Sequence, residues 1–138
     1  MLTYKSSKWT KRRGCRQVRL TVREFLAIRL KLPVEKGVYL LKNKTLMKYY
    51  AGQSDDMVSR ITSHFAGRGN GDVYHDYKLG HEFEIHFYFL NTNQFLDLNE
   101  LERHVIRVYE CVETGYNRKK GNKTRVSMKT SGNTLYKV

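Results

Sequence analysis

The sequence predicts an α+β domain: a small three-stranded antiparallel sheet in the order β-β-α-β-α, flanked by helices and preceded by a short N-terminal helical extension. Three observations predict it. Residues 82–90 (EFEIHFYFL) alternate apolar and polar, the period of a strand with one buried face. Residues 37–43 (GVYLLKN) and 47–53 (MKYYAGQ) are two further strand-like runs separated by only a few polar residues, which implies a hairpin. Apolar residues recur at helical spacing after Thr21, after Ser54 and after Asp97, each a residue that can cap a helix.

The first of these helices begins at Thr21. Thr21 and Glu24 have the spacing of a capping box, and Val22, Phe25, Leu26 and Leu30 form one apolar face that Pro33 closes. Its expected role is a lid packed on the sheet. Upstream, residues 1–20 are polar and basic, and Lys11-Arg12-Arg13-Gly14 reads as a mobile arm. In the hairpin, a turn centred on Lys44-Thr45 would set Tyr39 directly opposite Tyr50, on one face of the sheet. Ser54 then caps a helix to about Phe65, with Asp55 and Asp56 in its first turn and Arg60 and His64 stacked four apart. A glycine-rich loop follows at 66–71, and residues 72–80 read as irregular or weakly helical. In the third strand Phe83, Ile85, Phe87 and Phe89 should point inward, while Glu82, Glu84, His86 and Tyr88 face out. Asp97 and Glu100 form a second capping box for a helix to about Val112, with Leu98, Leu101, Val105, Val108 or Tyr109, and Val112 as its buried stripe. Glu102 sits at the edge of that stripe, where a carboxylate needs a partner.

The charge is unevenly spread. The formal net charge is +13, but residues 1–36 hold eleven Lys/Arg against Glu24 and Glu35, and residues 118–138 hold seven Lys/Arg and no acid. A mildly acidic core thus carries two basic flanks. This divides the chain into a basic arm with a short helix (1–36), a catalytic-type core (37–117) and a basic tail (118–138). Such flanks neutralise phosphates and bind nucleic acid in a salt-sensitive, largely sequence-blind way; Lys11, Arg12, Arg13, Arg16, Arg118, Lys119, Lys120 and Lys123 are the candidates. The bland alternative is a basic tail that aids solubility or touches acidic lipid. No apolar run approaches the roughly 18 residues of a membrane span, and no secretory pattern opens the chain, so a membrane is not expected and a cytoplasmic setting is. Cys15 and Cys111 show no zinc or disulfide pattern.

Singly, Tyr39, Tyr50, Arg60, His64, Glu102 and Asn117 are ordinary: sheet tyrosines, a solvated arginine, a satisfied histidine, a helix acid and a turn asparagine. Together they supply two phenols, a guanidinium, an imidazole and one carboxylate. Phosphodiester hydrolysis needs a base for water, cationic stabilisation of the pentacovalent phosphate and help for the leaving oxygen. One carboxylate is too few for a two-metal site but suits a single hard cation that keeps most of its waters.

Gly37-Val38-Tyr39 and Tyr50-Ala51-Gly52 resemble the two triplets that name the GIY-YIG nuclease superfamily, each with a similar small apolar residue at its middle position. Arg60 follows Tyr50 by ten residues, His64 follows Arg60 by four, and Glu102 and Asn117 match the later positions of the pattern. The likeness covers about residues 37–117. It implies a metal-dependent endonuclease acting on DNA, double-stranded by preference, of the phage or mobile-element homing type, in which case the host cytoplasm is its setting. It also implies roles. Tyr39 is the general base or proton relay, tuned by His64 or Tyr50; Arg60 contacts the scissile phosphate; Glu102 binds one Mg²⁺ or Mn²⁺; Asn117 braces the site. His75 and Lys78 lie where some members have additional site residues. A restriction endonuclease of the same superfamily, dimerising on a palindromic site, is the alternative; a homodimer on the substrate would also allow both strands to be cut. A non-catalytic nucleic-acid-binding module is the reading of another class, and RNA remains open as substrate, although Trp9, Tyr74 and Tyr77 are too scattered to form a stacking platform.

Overall fold

The computed structural model describes residues 9–12, 15–90 and 94–121. Five antiparallel strands form one sheet in the order β1-β2-β5-β3-β4: β1 (Trp9–Arg12), β2 (Cys15–Thr21), β3 (Gly37–Asn43), β4 (Lys48–Ser54) and β5 (Phe83–Tyr88). The expected three strands are β3, β4 and β5. The sheet is larger because the basic N-terminus is not a free arm: Lys11 and Arg12 belong to β1, which pairs with β2, and β2 pairs along β5 from Gln17↔Tyr88 to Thr21↔Glu84. Val18 and Leu20 explain this, since their alternation buries both on one face of β2. Arg13 and the rest of the N-terminus lie outside the described residues.

Helices cover both faces. On one face lie α1 (Val22–Ile28), α2 (Met57–Phe65) and α3 (Gly71–Lys78); on the other lies α4 (Leu98–Val108). The capping box at Thr21 and Glu24 forms in both directions, at 2.9 and 3.0 Å, and Phe25 buries against Phe87 as the expected lid. The helix gives way to a single 3-10 turn at Arg29–Lys31, which leaves Leu30 exposed and outside the anticipated apolar face. β5 carries the largest correction. His86 and Tyr88, expected in solvent, are buried, because β5 lies inside the sheet and α4 covers its second face. His86 Nε2 meets its neighbour Glu84 Oε1 at 2.9 Å.

Other boundaries shift for identifiable local reasons. Ser54 closes β4 and does not cap α2; the cap is Asp56, whose carboxylate accepts the Ser59 N–H, while the Ser54 hydroxyl accepts from Asp56 N. Residues 71–78 form a true helix because Asn70 Oδ1 accepts the Asp72 and Val73 N–H groups. On α4, Asp97 caps as expected by accepting the Glu100 N–H, and the Glu100 carboxylate reaches back to accept the Leu96 N–H. The helix ends at Val108, which is 54% exposed, and Ile106 takes its place in the buried stripe.

The hairpin register differs by one pairing step. Tyr39 pairs with Gly52 and Leu41 with Tyr50, because the turn occupies residues 44–47. Asn43 sets it: its Oδ1 accepts from Thr45 N and Leu46 N, its carbonyl accepts from Met47 N, and Met47 adopts φ 57°. The shift preserves parity, so the two tyrosines still share a face.

Candidate active site

β4 is an edge strand, and the site is assembled around its free edge. Its residues alternate across the sheet: Tyr50 and Gly52 face α2, whereas Ala51 and Gln53 face α4. Side chains from both faces therefore reach one cleft along that edge. The cleft is lined by Tyr50, Glu102, Asn70, Asn117, Arg118 and Lys119, among others.

The aromatic wall is tightly built. The Tyr39 and Tyr50 rings lie 6.3 Å apart, and the His64 ring packs against both, at 5.5 and 5.0 Å. Tyr39 lies across the β4 backbone because position 52 is glycine; a Cβ there would fall 2.5 Å from its hydroxyl oxygen. His64 is buried, its Nδ1 accepts the Asn70 N–H at 2.9 Å, and its Nε2 lies 2.9 Å from the Tyr39 hydroxyl. An acceptor role at Nδ1 places the proton on Nε2, so the imidazole donates to the Tyr39 oxygen. Burial, reinforced by the Arg60 charge, pushes the His64 pKa down to about 4, so the ring is neutral. The Tyr39 phenol is held well above its ordinary pKa by burial and by Tyr50; a hydrogen bond and the charge of Arg60 oppose that rise. Tyr50 is raised too, chiefly by burial, with Arg60 again in opposition. Arg60 is thus the cation beside both phenols.

The opposite wall carries the acid. Glu102 is 9% exposed, burial raises its pKa, and a hydrogen bond from Gln53 Nε2 to Oε1 (2.9 Å) opposes the rise. Its charge reaches both Tyr39 and Tyr50. Among the described residues no group of three or more His, Cys, Asp or Glu is placed to hold a metal, and Glu102 is the one acid among the residues that line the cleft. A half-solvated cleft with one carboxylate and no competing cysteine or histidine is a donor set that fits one hard, hydrated cation such as Mg²⁺ or Mn²⁺.

Asn117 does what a neighbouring strand would do. Its Oδ1 accepts the Ala51 N–H at 2.8 Å and its Nδ2 donates to the Ala51 carbonyl at 2.9 Å, while Tyr116 N donates to Tyr49 O. Residues 115–117 are thereby pinned to the edge of β4, and the basic residues Arg118 and Lys119 enter the cleft. Lys120 is exposed beside them, and Lys123 lies outside the described residues. Lys11, Arg12 and Arg16 fall on β1 and β2, at the opposite edge of the sheet from β4.

All six residues Tyr39, Tyr50, Arg60, His64, Glu102 and Asn117 thus lie around one edge. His75 and Lys78 are not gathered with them; both are exposed on α3, and His75 Nδ1 lies 3.3 Å from its neighbour Asp76. Three contributors escaped the sequence reading. Gln53 had a signal, since strand parity turns it toward α4 with Ala51. Asn70 had one as the residue before a helix. Gly69 had none: a Cβ there would lie 2.4 Å from His64 Nδ1, a proximity that only the folded loop creates.

No helix among the described residues is long and apolar enough to cross a membrane. No curated protein matches the chain. Among solved structures, the catalytic domain of intron endonuclease I-TevI, in a mutant form, is 19% identical with a TM-score of 0.49, over 65% of this chain and 99% of that one. The family model of the GIY-YIG catalytic domain matches residues 35–125 of the 138. The chain belongs to the GIY-YIG family.

Proposed function

We propose that the chain is a metal-dependent endonuclease that hydrolyses phosphodiester bonds in double-stranded DNA, of the homing type found in phages and mobile elements. The observation that carries this reading is the meeting of Tyr39, Tyr50, His64 and Arg60 with the Glu102 carboxylate around the edge of β4. Tyr39 is the group that takes the proton of the attacking water. A buried phenol resists ionisation, and two neighbours reduce that resistance: His64 donates Nε2–H to the phenol oxygen, and Arg60 places a fixed cation beside it. His64, neutral and with Nδ1 occupied by the Asn70 N–H, holds the oxygen and is not the final base. Tyr50 shares the Arg60 charge and orients the water. Arg60, which cannot give up its proton, balances the charge that builds on the phosphate oxygens. Glu102 would hold the Mg²⁺ or Mn²⁺ ion, which when bound would supply Lewis-acid stabilisation of the phosphate and the leaving 3′ oxygen. Arg118 and Lys119 engage flanking phosphates. A second copy on the substrate would account for cutting both strands.

The test is incubation with supercoiled plasmid in Mg²⁺ or in EDTA, with Arg60→Ala and Glu102→Ala alongside. Metal-dependent nicking or linearisation lost in both variants is expected. A gel shift with no cutting in Mg²⁺ or Mn²⁺, on plasmid and on genomic DNA, would favour a binding module.

A further inference from the structure

The Glu102 carboxylate is held by a residue that none of the six catalytic-type positions includes. Gln53 is the second residue beyond Ala51 on the α4 face of β4, and its side-chain amide lies between Asn99 and Glu102, which are three apart on one face of α4. Nε2 donates to Asn99 Oδ1 at 2.8 Å and to Glu102 Oε1 at 2.9 Å. The orientation of the amide is fixed by its partners. Reversed, it would set a carbonyl oxygen against two acceptor oxygens, one of them anionic. Both hydrogens of the amide nitrogen are therefore committed to α4, and the two elements are tied together at the carboxylate.

We propose that Gln53 is the positioning residue for Glu102: its amide fixes the rotamer of the carboxylate by binding Oε1 and so presents the group to a divalent cation in the cleft. This rests on the nuclease reading above and deepens it by naming what orients the metal-binding acid. The physical need is specific to this site. Glu102 is nine-tenths buried, and a polar group removed from water needs a hydrogen-bond partner, which the Gln53 amide supplies. A carboxylate that must meet a metal with few other protein donors also gains from having one oxygen held, because rotation about its own axis no longer has to be arrested on binding.

The test is Mn²⁺ binding to the unliganded full chain, by calorimetry or by loss of the free-ion paramagnetic resonance signal, with Gln53→Met, Glu102→Ala and the double variant. Methionine keeps the length of the side chain and removes both donors. Gln53→Met is expected to weaken Mn²⁺ binding by about 10- to 100-fold, the range typical of groups that orient a metal ligand. In the Glu102→Ala background, Gln53→Met should change nothing further. A Gln53→Met protein that melts lower but keeps the wild-type Mn²⁺ affinity would show a merely structural tie and overturn the proposal. If the wild type itself neither binds Mn²⁺ nor nicks plasmid, the nuclease reading fails, and this one with it. If the wild type does both while Gln53→Met matches it, only the assignment of Gln53 fails.

Discussion

Tyr39 and Glu102 lie on opposite faces of the sheet beside the β4 edge, Glu102 lining the cleft and Tyr39 buried behind Tyr50, and the chain holds them by different means. The tyrosine wall is part of the core. Tyr39 is 1% exposed, His64 likewise 1%; packing and a short hydrogen bond fix them to each other, and a second one ties His64 to Asn70 N. The acidic wall is fastened from outside. Glu102 depends on the single amide of Gln53, and the segment carrying Arg118 and Lys119 depends on Asn117 clasping Ala51. The lesson is one of division of labour. The groups packed against one another are buried together, and those that on the proposed reading meet a hydrated ion and a polyanion are placed at an edge, with polar ties setting their position.

Glu102→Ala should break the comparison most severely on the chemical side. Cleavage should fall by about 10³-fold or more, since the one carboxylate of the site is lost, while the fold survives because the tyrosine wall is untouched. Plasmid nicking and a melting curve read the two effects separately. On the other wall, Gly69→Ala should lower both activity, by about 10- to 100-fold, and stability. Its Cβ would press on His64 Nδ1, whereas at the neighbouring Gly71 a Cβ meets nothing within 4 Å, so Gly71→Ala is the matched control.

Asn117→Ala should have a middling effect. It removes two hydrogen bonds to Ala51 and leaves that N–H and carbonyl short of partners, a loss of about 1–3 kcal/mol in urea unfolding. Its effect on cleavage should lie mainly in substrate affinity, because the segment it anchors carries the cleft's basic residues. The smallest expected effect concerns pH. His64 takes its proton at about 4 in the fold against an ordinary 6.5, so the unfolded chain binds the proton first. Its contribution is full above the ordinary value and is lost as pH falls from there toward about 4, so His64→Gln should flatten the decline in stability over that window. An unchanged slope in His64→Gln would mean that the imidazole takes up its proton as readily in the fold as in the unfolded chain.

What the sequence made legible follows the same division. The tyrosines, Arg60 and His64 could be read because strand parity and helical spacing are local rules, and parity survived even where the hairpin register was misjudged. The misjudgement came from Asn43, whose side chain closes the turn at 44–47 in a way no dipeptide preference signals. Glu102 could be read as an acid needing a partner, yet not as the partner of Gln53, because that contact spans 49 residues. The N-terminal hairpin was hidden for another reason: the lysines and arginines on β1 and β2 masked the alternation of Val18 and Leu20. The burial of His86 and Tyr88 required knowing that β5 would be an inner strand, which is a property of the assembled sheet.

The central claim is that both walls serve one reaction, and the most direct measurement is single-turnover plasmid cleavage in Mn²⁺ by Arg60→Lys, Glu102→Asp and the double variant. Mild substitutions keep the rates measurable. If the walls act as a unit, each single change should slow cleavage by about 10²-fold, and the double variant should be little slower than the worse single one. Losses that multiply to about 10⁴-fold would mean that Arg60 and Glu102 act independently and would contradict the single site proposed around β4.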